Sequence, residues 1–174
     1  NGKIENCVSY ATVQGVNYVG GICGNKGQTM GDYEITNCTF GGTVTASGNF
    51  AGGVSGGGYG GTQWGVASAK NTPCAVIKNC LVTGSVSGAD QVGGILGSET
   101  GVVQAWENGI GYIQDNVFAG TLQASADNAK LGGIVGYMNS LNKYTVIENN
   151  YYLSTSAEWG IGAAQFVDTS FAEP

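Results

Sequence analysis

The sequence predicts an all-β fold, a parallel β-solenoid of about four to five coils, on three observations. A single unit recurs four times and then decays, side chains inside each unit alternate with a period of two, and glycine is too frequent for helices of ordinary length. The unit opens on Ile, carries Asn or Asp two residues later and a β-branched residue or Leu nine after the Ile, and closes on Gly-Gly-aliphatic-x-Gly. Its copies begin at Ile4, Ile35, Ile77 and Ile113, with a degenerate fifth at Ile147, so successive starts lie 31, 42, 36 and 34 residues apart. Self-similarity at roughly 20–50 residues marks a solenoid, because one unit cannot bury its own apolar face and stacked units can. The length variation falls after the closing glycine or just before the Gly-Gly pair, which makes the core constant and the loops variable.

Each element of the unit has a physical reading. The opening Ile stacks on its equivalents about 4.8 Å above and below. Asn6, Asn37, Asn79, Asp115 and Asn149 form a corner ladder: Asn tolerates a left-handed backbone, and its amide can donate to the next coil. Asp115 accepts such bonds but cannot donate when ionised. The middle of the unit is strand. Cys80, Val82, Gly84 and Val86 share one face, while Leu81, Thr83, Ser85 and Ser87 make the other, which is mostly small and polar. The Gly-Gly pair is expected to bend the chain sharply through positive φ. An interior glycine costs a helix about 1 kcal/mol, and only a short turn near 163–167 is a helical candidate. Four to five coils make a prism roughly 20–25 Å long, right-handed because parallel crossovers almost always are.

The closing segments are Gly-Ile-Cys-Gly at 21–24, Gly-Val-Ser-Gly at 53–56, Gly-Ile-Leu-Gly at 94–97 and Gly-Ile-Val-Gly at 133–136, each with the same upstream frame. They resemble the GLUG motif, over nearly all of residues 4–136 and more weakly over 147–162. The resemblance implies a segment of a large exported bacterial surface protein, since such repeats occur in adhesin-like proteins and in the non-catalytic part of some IgA peptidases. It implies an extracellular or cell-surface location and brings no catalytic residues with it. Residues 1–150 read as the repeat region. Residues 151–174 read as a degenerate last repeat or C-terminal cap, or as the start of a further module of a longer, multi-domain chain.

Composition narrows the function. The 174 residues suffice for one domain with a continuous core. Charged residues are 10 %, against about 25 % in an average domain. A net charge of −6, with neither Arg nor His, gives no basic stripe, so nucleic acid is not an expected partner. No apolar run reaches the roughly 18 residues of a membrane span. Cys7, Cys38 and Cys80 share one repeat position, later filled by Asn116 and Asn150, and read as small free thiols buried in the stack. Parallel in-register side chains make poor disulfide geometry. Cys23 and Cys74 lie outside that column and could pair. Without His or C-x-x-C, zinc is not expected, and Ser55–Gly61 lacks the aspartates of a calcium site. No cofactor or metal is therefore expected.

An enzyme reading has little to work with. Glycoside hydrolysis needs two carboxyl groups at a defined separation, whereas the twelve acids here are thinly spread and mostly read as solvated. The insertions at 57–76 and 98–112 follow consecutive closing motifs and should leave the same edge on neighbouring coils. They bring Tyr59, Trp64, Trp106 and Tyr112, whose rings either cover the solenoid flank or contact a host or cell-surface glycan or protein. The expected function is a non-catalytic structural and interaction segment, adhesin-like. The alternative is a carbohydrate-binding module or an inactive relative of β-helix polysaccharide lyases and hydrolases.

Overall fold

The computed structural model of the chain describes residues 2–25, 33–58, 72–99, 109–138 and 145–164. It is a parallel β-solenoid of five coils built from 23 strands, with no helix among the described residues. The first coil carries Gly2–Glu5, Val8–Ser9, Thr12–Gly15, Val19–Gly20 and Cys23–Asn25. The second carries Tyr33–Thr36, Thr39–Phe40, Thr43–Ala46, Ala51–Gly52 and Ser55–Gly58. The third has Thr72–Lys78, Leu81–Val82, Ser85–Gly88, Val92–Gly93 and Leu96–Glu99, and the fourth Gly109–Gln114, Val117–Phe118, Thr121–Ala124, Leu131–Gly132 and Val135–Met138. The fifth keeps three: Thr145–Glu148, Tyr151–Tyr152 and Ile161–Ala164. Strands of the same rank pair in parallel to make five sheets, numbered here from first to fifth along the coil.

Register follows the repeat. Ile4, Ile35, Ile77, Ile113 and Ile147 are successive partners in the first sheet. In the second sheet Ser9, Phe40, Val82, Phe118 and Tyr152 form the inward column, and in the third Val13, Val44, Val86 and Leu122. Phe40, Val82, Phe118 and Val44 are fully buried, so each contributes about 1.5–3 kcal/mol through removal of apolar surface from water. The alternation read from the sequence holds: Cys80, Val82 and Val86 are buried, and Leu81 is exposed.

The Gly-Gly pairs occupy the inside of the bend for a reason other than the expected one. None of them adopts a φ in the left-handed region; they are glycines because of close approach. A Cβ on Gly52 would sit 1.9 Å from the Ser55 carbonyl oxygen, and one on Gly53 would sit 2.3 Å from that of Gly94. The positive φ falls outside the pairs, at Tyr18, Phe50 and Gln91 just before them and at Asn128 in the fourth coil.

Three smaller expectations are also corrected. Cys7 is exposed rather than buried, because the first coil has no coil beneath it among the described residues, whereas Cys38 and Cys80 are buried as expected. Cys23 is a free thiol, so it does not pair with Cys74. Ile161–Ala164 is a strand of the fifth sheet, so the candidate helical turn does not start at Ala163. The fifth coil is degenerate because it bypasses the third and fourth sheets. Residues 153–160 cut across instead, held by the Ser156 hydroxyl donating to Gly120 O at 2.6 Å and by burial of Ala157.

Candidate functional site

The corner residues behave as the sequence requires. Asn6, Asn37, Asn79, Asp115 and Asn149 all have φ between 54° and 56°, where Asn and Asp are tolerated and most side chains are strained. Asn79 Nδ2 donates to Asn37 Oδ1 at 3.2 Å, one rung of the expected amide ladder. At Asp115 the rung changes chemistry, and the carboxylate takes the Lys78 ammonium at 3.2 Å instead. Both partners of that pair are exposed enough for water to screen most of its worth. These residues hold backbone geometry, and nothing in the ladder converges on a reacting atom.

One position inward runs the column Cys7, Cys38, Cys80, Asn116 and Asn150. Its buried members face backbone carbonyls of the stack with different atoms. The Cys38 and Cys80 thiols lie nearest the carbonyl two residues back in their own coil, Thr36 O at 3.3 Å and Lys78 O at 3.4 Å, and lie 3.9 Å and 3.8 Å from Ile4 O and Ile35 O one coil back. Asn116 Nδ2 donates to Ile77 O at 3.0 Å, and Asn150 Nδ2 to Ile113 O at 2.7 Å. In the other direction, the Cys80 amide donates to Asn116 Oδ1 at 2.9 Å and the Asn116 amide to Asn150 Oδ1 at 3.1 Å. The Cys38 amide likewise faces the Cys80 sulfur. Burial pushes the Cys80 thiol up to about 11, and the Cys38 and Cys23 thiols rise for the same reason. A thiol in that range is protonated at neutral pH and is a poor nucleophile.

Of the aromatics assigned to ligand contact, Tyr59, Trp64 and Trp106 lie outside the described residues. Tyr112 lies in the first sheet between Val76 and Val146 and is half-buried, with its neighbours Gly111 and Ile113 buried. The edges of the insertions are described. Gly58 pairs with Glu99, and Thr72 pairs with Gly109. Both insertions therefore leave the fifth sheet side by side and return side by side into the first. Their strands run further than expected, with Ser55–Gly58, Thr72–Lys78, Leu96–Glu99 and Gly109–Gln114 taking up the ends of both.

Two features escaped the sequence reading. The second corner is built on Tyr18, Phe50 and Gln91, residue types that carry no turn signal. Tyr18 and Phe50 stack with centroids 4.4 Å apart, and Asp90 anchors the corner above. Asp90 Oδ1 accepts from the Gln91 amide at 2.8 Å and the Lys130 amide at 2.7 Å, and Oδ2 pairs with the Lys130 ammonium at 3.0 Å. Burial raises the Asp90 carboxyl, but these amides and the ammonium outweigh it and hold the group below its ordinary value. Only its place two residues before Val92 could have marked Asp90 as a corner.

The other missed feature is the difference between the outer faces. The first sheet presents charge, with Lys3 bridging Glu5 at 2.7 Å and Glu34 at 3.7 Å. The third presents hydroxyls, with Ser85 donating to Thr43 at 3.2 Å and Ser87 donating to Val44 O at 3.1 Å beside the Thr45 hydroxyl. The second presents apolar side chains, among them Val8, Leu81, Val117 and Tyr151. Among the described residues no three His, Cys, Asp or Glu side chains gather as a metal site would require. No family model, curated protein or solved structure matches the chain.

Proposed function

We propose that the chain is a non-catalytic structural and interaction segment of an exported bacterial surface protein, a rigid rod that displays binding surfaces. The observation that carries this reading is the in-register stacking of five coils, with the two long insertions leaving the same edge on neighbouring coils. Such a scaffold fixes the spacing of whatever its faces and loops present, which is the physical requirement of an adhesin. The GLUG-like closing segments support the surface setting. Among the described residues, the buried Cys38 and Cys80 thiols and the Asn116 amide face carbonyls of the stack.

Display on a heterologous bacterium tests it. The full chain is placed between a signal sequence and a wall anchor, and adhesion to surfaces coated with matrix proteins or with glycans is compared with a scrambled control. Adhesion to at least one coating is expected, with no release of reducing or unsaturated sugar ends. Absence of adhesion to every coating, or turnover of any polysaccharide, would overturn the reading.

A further inference from the structure

Eight large hydrophobic side chains are exposed among the described residues, and six of them fall in two adjacent columns on the outside of the second sheet. One column is Val8, Thr39, Leu81, Val117 and Tyr151, in register through strand pairing. The next is Tyr10, Gly41, Thr83, Ala119 and Leu153, aligned because Gly41 N donates to Ser9 O, Thr83 N to Phe40 O, Ala119 N to Val82 O and Leu153 N to Phe118 O. None of these ten positions is charged, although the neighbouring first sheet carries Lys3, Glu5, Glu34, Lys78 and Glu148.

The stripe has relief. Tyr10 is 74 % exposed, yet its ring lies over the second coil, where a Cβ on Gly41 would come within 2.7 Å of it. Tyr151 stands at the opposite end, 67 % exposed. Gly41 is covered by the Tyr10 ring, and Thr83 and Ala119 beyond it are small, so the column is low between Tyr10 and Leu153 and forms a shallow trough along the axis. Four coil steps make it about 19 Å long, and three strand residues make it about 10 Å wide.

Those dimensions and that chemistry select the occupant. The footprint is about 200 Å² at strand spacing, against about 800 Å² per partner in a stable protein interface, so neither a second copy nor a folded partner is satisfied by it. An extended peptide would seek free main-chain donors and acceptors, and here the backbone is engaged between coils. A polysaccharide has what the trough offers to pair with: apolar ring faces for Tyr10 and Tyr151, and hydroxyls for Thr39 and Thr83. With no cation in either column and a net charge of −6 behind them, an anionic polymer is repelled.

We propose that the outer face of the second sheet binds a linear, uncharged polysaccharide running along the solenoid axis, its sugar rings stacked on Tyr10 and Tyr151. This deepens the adhesin reading by naming one of its partners, and it places the contact on a sheet face instead of the insertions.

Affinity electrophoresis of the full chain in gels containing hydroxyethylcellulose, xylan, pullulan or a β-1,3-glucan, with polygalacturonate as the anionic arm, tests the proposal. Retardation is expected in at least one neutral gel and not in polygalacturonate. Joint Tyr10→Ala and Tyr151→Ala substitution should weaken it at least tenfold, and Thr83→Glu should abolish it by placing a charge in the trough. Circular dichroism confirms that each variant is folded, and Thr83→Glu, at an exposed position, serves if the tyrosine variants are not. No retardation in any neutral gel, or retardation that survives in folded Tyr10/Tyr151 and Thr83 variants, overturns the proposal. Adhesion of displaying cells to a protein coating would then still stand, so the two readings fail separately.

Discussion

Replacing Asn116 by Ala removes a side chain that is fully buried and makes three bonds in the inward column. It accepts the Cys80 amide at 2.9 Å and donates to Ile77 O at 3.0 Å and to Asn150 Oδ1 at 2.9 Å. Alanine would leave the Cys80 N–H buried without a partner, at about 1–3 kcal/mol, and would remove the side-chain amide's bonds to Ile77 O and Asn150 Oδ1, at about 0.5–1.5 kcal/mol each. A loss of about 3–4 kcal/mol is therefore expected, roughly 10 °C in Tm for a chain of this size. The informative control is Asn116→Cys. The thiols of Cys38 and Cys80 occupy this position in earlier coils, where they face the same carbonyl and the same amide, so Cys should recover at least half of the loss. Urea unfolding followed by tryptophan fluorescence reads both variants. A loss under about 1 kcal/mol for Ala, or a Cys variant no more stable than Ala, would refute the idea that amide and thiol do equivalent work in the column.

Four further outcomes are expected. Gly94→Ala would put a Cβ 2.2 Å from Gly133 O and 2.4 Å from the Phe118 ring, so expression of folded protein should fail or stability should fall by more than about 3 kcal/mol. Gly2→Ala meets nothing within 4 Å and should stay within about 0.5 kcal/mol of the parent in the same urea assay. Because the Asp90 carboxyl is held below its ordinary 3.8 in the folded chain, its contribution is present above that value and is lost as pH falls through the folded value. Asp90→Asn should flatten the stability profile in that acidic window, and an unchanged slope would count against the corner anchor. Alkylation at pH 8 with peptide-level mass spectrometry should modify exposed Cys7 well before Cys80, whose thiol is pushed up to about 11; equal rates would contradict burial of the column.

The register of the fold was legible because the repeat is local and redundant. Ile, Asn and the aliphatic nine residues on recur together, and stacking like on like is the one arrangement that buries them all. The glycine pairs were recognised but misread. Glycine signals either positive φ or lack of room, and only a neighbouring coil, which brings the Gly94 carbonyl against Gly53, decides which. The second corner was invisible because Tyr18, Phe50 and Gln91 reach the left-handed region through tertiary contacts, such as the Tyr18–Phe50 stack, against their own preference. The apolar stripe was missed for a related reason. Val8, Leu81, Val117 and Tyr151 are spaced far apart in sequence and become one surface only when the coils align. Trp64 and Trp106 stood out instead, because each lies on a long insertion that follows a closing motif and so is contiguous in the sequence.

Methyl-resolved nuclear Overhauser spectroscopy on isoleucine-labelled protein tests the stacking most directly. With coils in register at about 4.8 Å, the Ile77 methyl groups should show strong cross-peaks to both Ile35 and Ile113, while Ile35 and Ile113, two steps apart, should show at most weak ones. Cross-peaks from Ile77 to neither neighbour, in a folded sample, would contradict the solenoid and everything built on its columns.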